Sequence, residues 1–457
     1  MNTNSDTIVA IATPPGQGAI GIVRLSGPAA GEIARGLFHS SRPGFTAFKP
    51  YHLHHGQLRD PEGNFLDEVL AAFMPGPGSF TGEDVVELQC HGGGAVLRRV
   101  VEECLEHGAR LAAPGEFSKR AFLNSRMDLT QAEAIMELVG APTAVAVGLA
   151  GSKLEGLLAR RIGELRAGLE SLRVQLCVAV DFPEDEVECL APEDLARGVA
   201  EVCEAMTELA DNYDRGRCWR DGALVVLAGQ VNAGKSSLMN AILGINRAIV
   251  TDIPGTTRDY LEESVQIDGL PVRLVDTAGL RASLDSVELL GIERSRELLG
   301  RADLVLLVID SELGPGAEDL DLALNTDNLL VVANKMDLVG GEPAWLDESP
   351  WSERELCPLS AKHGHGVSDL LAAIRRIVAA TGAPESGALV PNLRQHTALV
   401  RASEELAQML DELAGGLPYD ILSVRLDTAC VLLAEITGEI SSQEVLSAVF
   451  DGFCIGK

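Results

Sequence analysis

Several things are scarce in this sequence, and each scarcity excludes a class of protein. No apolar run among its 457 residues approaches the roughly 20 residues of a membrane-spanning helix. The most apolar stretches, Leu304 to Ile309 and Leu329 to Ala333, are strand-sized. The nine cysteines include no C-x-x-C pair, which argues against zinc and fits reduced thiols better than disulfides. Met1 to Asp6 lacks the basic and apolar regions of a signal peptide. A cytoplasmic protein with no membrane attachment is expected. Positive charge is short as well: 37 Lys and Arg stand against 67 Asp and Glu, a net charge of −30. That balance disfavours broad nucleic-acid binding, because phosphate contacts need Lys and Arg. The deficit is uneven. Residues 1–125 hold 10 Lys and Arg against 13 Asp and Glu, and six of the nine histidines. If an RNA is bound, that near-neutral segment is the better contact face.

What is present centres on Gly229-Gln230-Val231-Asn232-Ala233-Gly234-Lys235-Ser236-Ser237. It follows an apolar strand-like run, Ala223 to Ala228, and opens a helix-forming one, Ser236 to Leu243. This is the phosphate-binding pattern G-x-x-x-x-G-K-[ST], in which backbone N–H groups curl around an anion. Lys235 would charge-pair with the outer phosphates, and the Ser236 hydroxyl would ligate Mg²⁺. Downstream, Thr251-Asp252-Ile253-Pro254-Gly255-Thr256-Thr257 supplies a threonine loop, with Thr257 the second candidate Mg²⁺ ligand. Asp276-Thr277-Ala278-Gly279 follows a strand; Asp276 suits a supporting magnesium role, and the Gly279 N–H a γ-phosphate contact. Asn334-Lys335-Met336-Asp337 ends another strand, and its aspartate can accept both N–H groups of guanine's edge. Adenine lacks that donor pair, so the motif selects GTP. Ser360-Ala361-Lys362 would close over the base. These motifs in this order predict a Ras-like P-loop GTPase domain over residues 217–381.

Leu280 stands where many GTPases carry a water-orienting glutamine, and a leucine cannot hydrogen-bond water. Arg258 and Arg281 are candidate arginine fingers, though surface roles suit them better. Asn232 either coordinates a monovalent cation or hydrogen-bonds within its own loop.

The predicted fold is multidomain α/β. Residues 1–125 read as an α+β domain with strands at Thr7 to Ala12, Ala19 to Leu25, Asp67 to Phe73 and Val85 to Cys90, and helices at Ala29 to Leu37 and Ala95 to Glu106. Leucines every three or four residues between Pro142 and Pro183 predict one long bundle helix. Pro192-Glu193-Asp194 opens the next, with Gly216 as its expected end. Helical periodicity returns from Pro391 to Leu413, from Ile421 to Glu435, and after the capping signal Ser441-Ser442-Gln443-Glu444. The GTPase domain is thus expected to interrupt an α-helical bundle domain formed by residues 126–216 and 382–457, with Gly382 to Pro391 as the return linker.

Further blocks carry a resemblance across the whole chain. They are Thr7-Ile8-Val9-Ala10 with Ala12-Thr13-Pro14-Pro15-Gly16, and Gly21-Ile22-Val23-Arg24-Leu25-Ser26-Gly27. Phe80-Thr81-Gly82-Glu83-Asp84 with Glu87-Leu88-Gln89 and His91-Gly92-Gly93, Pro114-Gly115-Glu116-Phe117-Ser118 with Arg120-Ala121-Phe122-Leu123-Asn124, and Phe453-Cys454-Ile455-Gly456-Lys457 complete them. Together with the GTPase motifs, the chain resembles the MnmE (TrmE) family of tRNA-modifying GTPases. The resemblance implies a homodimer whose N-terminal domain, residues 1–125, dimerises and binds a one-carbon donor such as 5-formyl-tetrahydrofolate. It implies a flavoprotein partner of the MnmG (GidA) type and an aminomethyl or carboxymethylaminomethyl group added at C5 of the wobble uridine of tRNA. Arg24, Glu87, Arg126 and Lys457 match folate-contacting positions, with arginine at 126 where lysine is expected. K⁺ is implied at Asn232, Thr251, Ile253 and Thr256, and Glu288 matches the residue that orients the hydrolytic water. Cys454 either serves the modification chemistry or is an ordinary tail cysteine. The competing reading is a ribosome-assembly GTPase of the Era or EngA kind, but its basic RNA module or second GTPase domain has no counterpart in this sequence.

Overall fold

The computed structural model describes residues 6–181, 191–245, 262–276, 297–380, 382–385 and 387–457. Strand β1 (Ile8–Ile11), buried at its first three residues, and β2 (Ile20–Ser26), with burial that alternates over most of its length, begin a seven-stranded sheet. After α1 (Ala30–Leu37) come β3 (Phe38–Ser40), β4 (Leu53–Arg59), β5 (Phe65–Met74), β6 (Val85–His91), α2 (Gly94–Glu106), β7 (Arg110–Leu111) and α3 (Glu116–Leu123). The spatial order is β3-β4-β5-β6-β2-β1-β7, antiparallel except for the β1–β7 pair. Amphipathic α1 and α2 bury Ile33, Leu37, Leu97 and Val100 against Val23, Leu25 and Leu88 of the sheet. Strands β3, β4 and β7 and helix α3 go beyond the sequence expectation. Polar β4, with sequence Leu-His-His-Gly-Gln-Leu-Arg, lacks the β-branched residues that mark a strand and is held by its partners instead.

The helical stretch runs through α4 (Leu129–Gly140), α5 (Ala144–Leu154), α6 (Leu157–Asp181) and α7 (Pro192–Asp221). One long helix between Pro142 and Pro183 was the expectation, and the structure corrects it to two. The Thr143 side chain caps α5 by accepting from Ala146 N, and Gly156 at φ +79° turns the chain into α6. The leucine rhythm continues through a residue whose left-handed conformation a helix cannot hold. Helix α7 also runs past Gly216, its expected end. A Cβ there would lie 2.4 Å from a Val390 methyl, so the glycine serves close packing rather than termination.

β8 (Ala223–Ala228), α8 (Lys235–Ile245), β9 (Glu262–Ile267), β10 (Leu270–Asp276), β11 (Leu304–Asp310), α9 (Ala317–Asn325), β12 (Leu329–Asn334), β13 (Leu356–Pro358) and α10 (Val367–Val378) follow. Their sheet has the order β13-β12-β11-β8-β10-β9, parallel except for edge strand β9. Strands β8, β11 and β12 are buried at every residue, as expected of parallel strands covered on both faces. Finally come α11 (Leu393–Ala414), α12 (Tyr419–Thr437) and α13 (Gln443–Asp451). Asn392 and Gln395 form a reciprocal capping box on α11, and the Ser442 hydroxyl caps α13 through Val445 N.

The chain forms two compact units: Met1–Met136 with Leu158–Ala167 and Cys430–Lys457, and Glu137–Leu157 with Gly168–Ala429. Among the described residues, no helix is long and apolar enough to cross a membrane.

Candidate functional site

Strand β8 ends at Ala228, and the chain turns through Gly229 and Asn232, both at positive φ, before α8 begins at Lys235. β8 lies between β11 and β10, where the sheet's connections run to opposite sides, the usual position for a ligand in an open parallel sheet. Successive N–H groups of this turn and the start of α8 make an anion cradle. The Lys235 ammonium donates to the Gly229 and Gln230 carbonyls, 2.7 Å from each. The Ser236 hydroxyl donates to Asp276 Oδ2 at 3.0 Å, so one expected magnesium ligand lies beside the carboxylate expected to support it.

The phosphate loop is tied to the two loops expected to recognise the base by one buried side chain. Asn334 Nδ2 donates to the Ala233 carbonyl at 2.9 Å, and Asn334 Oδ1 accepts from Ala361 N at 3.0 Å. The contact is close enough that a Cβ on Gly234 would lie 2.2 Å from Asn334 Nδ2. Asp337 sits beyond it, with Oδ1 accepting from the Ser360 hydroxyl at 2.6 Å. That hydroxyl, with the charges of His363 and Lys362 adding to it, holds the Asp337 carboxyl below its ordinary range. Asn232, Ala233, Gly234, Lys235, Ser236 and Ser237 are thus brought to one end of the sheet with Asp276, Asn334, Lys335, Asp337, Ser360, Ala361 and Lys362. Thr251, Asp252, Ile253, Pro254, Gly255, Thr256, Thr257, Arg258, Thr277, Ala278, Gly279, Leu280, Arg281 and Glu288 lie outside the described residues.

Two supports of this site, Asp310 and Asp319, lie in no motif. Lys335 Nζ donates to Asp310 Oδ2 at 2.7 Å, a pairing that needs the β11–β12 register setting Asp310 beside Asn334. Gln230 Nε2 donates to Asp319 Oδ2 at 2.8 Å, and the same carboxylate oxygen accepts from Gly316 N.

A second cluster lies in the first unit. The β2–β6 register sets Arg24 opposite Glu87, and Arg24 Nε donates to Glu87 Oε1 at 3.0 Å. The guanidinium carbon lies 5.6 Å and 5.7 Å from the ring centres of Phe80 and Phe117, within cation–π range. Its Nη1 reaches the Gly456 carbonyl at 3.5 Å, a contact across 432 positions of the chain. Gly456, at φ +95°, lies so close to β1 that a Cβ would sit 2.2 Å from the Ile11 carbonyl oxygen. Burial holds the Lys457 ammonium below its ordinary range, with Cys454 acting against that and Arg24 adding to it. Arg126 Nε donates to the Ser79 carbonyl at 3.1 Å, beside Phe80 in sequence. The loop is pinned by Ser26, whose hydroxyl pairs with that of Thr81 at 2.7 Å and donates to Glu83 at 2.8 Å. Arg120, buried, binds Glu83 in turn. Cys454 is exposed. Phe80 and Phe117 occur within the sequence blocks, but nothing in the blocks says that both lie within reach of Arg24.

A family model described as the MnmE helical domain matches residues 129–454, and one described as the GTP-binding protein TrmE N-terminus matches residues 7–126. The tRNA modification GTPase MnmE of Nitratidesulfovibrio vulgaris is 54% identical, with 99% of this chain and 100% of the relative covered. The protein of that name from Lawsonia intracellularis is 45% identical over 99% of this chain and 100% of its own length. That from Roseiflexus castenholzii is 44% identical over 99% of both. With the phosphate cradle, the Asn334 brace and full-length similarity of this order, the chain belongs to the MnmE family of tRNA modification GTPases.

Proposed function

We propose that this GTPase, acting as a homodimer with an MnmG-type flavoprotein, adds an aminomethyl or carboxymethylaminomethyl group to C5 of the wobble uridine of tRNA. The carbon would come from a formyl-tetrahydrofolate-type donor. The observation that carries the reading is the Asn334 brace, which joins the phosphate cradle at Ala233 to the loop whose Ser360 hydroxyl bonds Asp337. In this reading Lys235 exchanges its two loop carbonyls for the outer phosphate oxygens of GTP, and Asp337 accepts from the base. Mg²⁺, held through Ser236 and Thr257 with Asp276 in support, would neutralise charge developing on the phosphates. Their oxygens, two of them 3.0 Å apart, are the hard donors that this ion prefers. K⁺ would be held by Asn232 with Thr251, Ile253 and Thr256, and Glu288 would orient the water in place of the glutamine that Leu280 replaces.

Chemistry of the donor set favours a folate at the Arg24 cluster. A carboxylate such as Glu87 matches the N–H pair of a pterin ring, and Arg24, bonded to it at 3.0 Å, would serve the same end, while Arg126 and Lys457 are the cations that would meet the donor's anionic groups. Cys454 lies three residues from Lys457 and would serve the transfer from this end of the chain. Exposed Ile20 and Leu53, 64% and 58% accessible, support self-association of the first unit. The domain division that goes with this reading is 1–125 for folate and dimerisation, 217–381 for GTP, and 126–216 with 382–457 for the helical scaffold. Nucleoside analysis of tRNA from cells lacking the gene tests it. Loss of the C5-modified wobble uridine is expected; an unchanged nucleoside profile overturns the proposal.

A further inference from the structure

Asp337 has a hydrogen-bonded serine on one side and an imidazole within reach on the other, and only the serine is a motif residue. Ser360 Oγ donates to Oδ1 at 2.6 Å. His363 Nε2 lies 3.5 Å from Oδ2. The segment between them is a closed loop. Ser360 N donates to the His365 carbonyl at 2.9 Å, Ala361 N is held by Asn334, and Gly364 at φ +74° makes the turn. This geometry keeps the half-exposed imidazole on the Oδ2 side of the carboxylate, opposite the serine.

A carboxylate held at one oxygen still swings about its Cβ–Cγ bond. Held at both, it presents a fixed pair of acceptors, and paired acceptors are what distinguish guanine's N1–H and 2-amino donors from a single donor. We propose that His363 is a specificity-determining residue for the nucleotide base, fixing Asp337 from the Oδ2 side so that the 2-amino group of a guanine nucleotide is read. The inference rests on Asp337 being the base-reading residue.

The test compares GDP with inosine diphosphate, which lacks the 2-amino group, on the full-length protein. H363A should weaken GDP binding about 3- to 10-fold, as expected for losing one modest polar contact, while inosine diphosphate changes less than about twofold. H363Q, whose amide nitrogen reaches a similar position, should restore the preference. Equal weakening of both nucleotides, no change in either, or failure of H363Q to restore the ratio overturns the inference. D337N separates it from the underlying reading. An amide there should weaken GDP and favour xanthosine diphosphate, which offers an acceptor where guanine offers the 2-amino group. Unaltered GDP binding in D337N would sink the base-reading role of Asp337 and the inference with it. The expected D337N result alongside an unaltered H363A ratio would sink the inference alone.

Discussion

Replacing Asn334 by alanine tests the brace that organises the nucleotide site. The substitution deletes two hydrogen bonds, to the Ala233 carbonyl and from the Ala361 N–H, at a residue only 2% exposed. Each lost partner strands a buried backbone group, at about 1–3 kcal/mol apiece, so roughly 2–6 kcal/mol is at stake. That is a large share of the ~5–15 kcal/mol that holds a typical domain together. Both loops touch the nucleotide in the proposed mode, so part of the loss reappears as binding energy that the ligand must supply to order them. If as little as ~1.4 kcal/mol does so, affinity falls tenfold. All three tryptophans, Trp219, Trp345 and Trp351, lie in the second unit, so intrinsic fluorescence follows its melting without interference from the first. A drop of roughly 5–15 °C is expected for a unit of this size, together with a GDP dissociation constant raised at least about tenfold. N334D sharpens the test. It keeps an acceptor for Ala361 N but turns a charged oxygen on the Ala233 carbonyl, and should be at least as damaging. Unchanged melting and GDP affinity within about twofold in N334A would refute the brace.

Replacing Na⁺ by K⁺ should raise GTP hydrolysis strongly, and equal rates would remove the cation role of Asn232. E288A should slow hydrolysis by about 100-fold or more, as for a positioned water orienter, with GTP binding intact; normal turnover counts against it. G456A should release the C-terminal tail, because its Cβ would meet the Ile11 carbonyl at 2.2 Å from a backbone at φ +95°. Hydrogen exchange at residues 452–457 should accelerate, and wild-type protection in the variant would contradict the close approach. Burial pushes the Glu116 carboxyl up, but Arg110, the Ala113 N–H and Arg120 outweigh it and bring it to about 2. A folded value below the unfolded one means stability present above about pH 4.5 and lost as pH falls toward about 2. Acid unfolding of the first unit should therefore shift in E116Q, and an identical acid limb in the variant would rule out that contribution.

Motifs were legible because phosphate and guanine recognition depend on short runs of backbone and side chain. Gly229 to Ser237, Asn334 to Asp337 and Ser360 to Lys362 each sit within one strand-to-loop junction, and such local chemistry is written in consecutive residues. Strands β8, β11 and β12 were equally plain, since burial on both faces leaves continuous apolar runs. Polar β4 and the short edge strands β3 and β7 were not, because their place is set by partner strands rather than by their own residues. The helix break at Gly156 was hidden by a leucine rhythm that runs across it, and Gly216 looked like a terminus because a packing glycine and a capping glycine are the same letter.

By itself, then, the sequence determined the motifs within each loop: a phosphate cradle, the Asn334-Lys335-Met336-Asp337 run proposed to read guanine, and a leucine at 280 in place of a glutamine. Tertiary structure alone decided what those pieces meet. Asn334 reaching both Ala233 and Ala361, His363 facing Asp337, and Arg24 meeting Phe80, Phe117 and Gly456 are contacts between segments far apart in the chain. Strand register and loop closure create such contacts, and no local spacing encodes them.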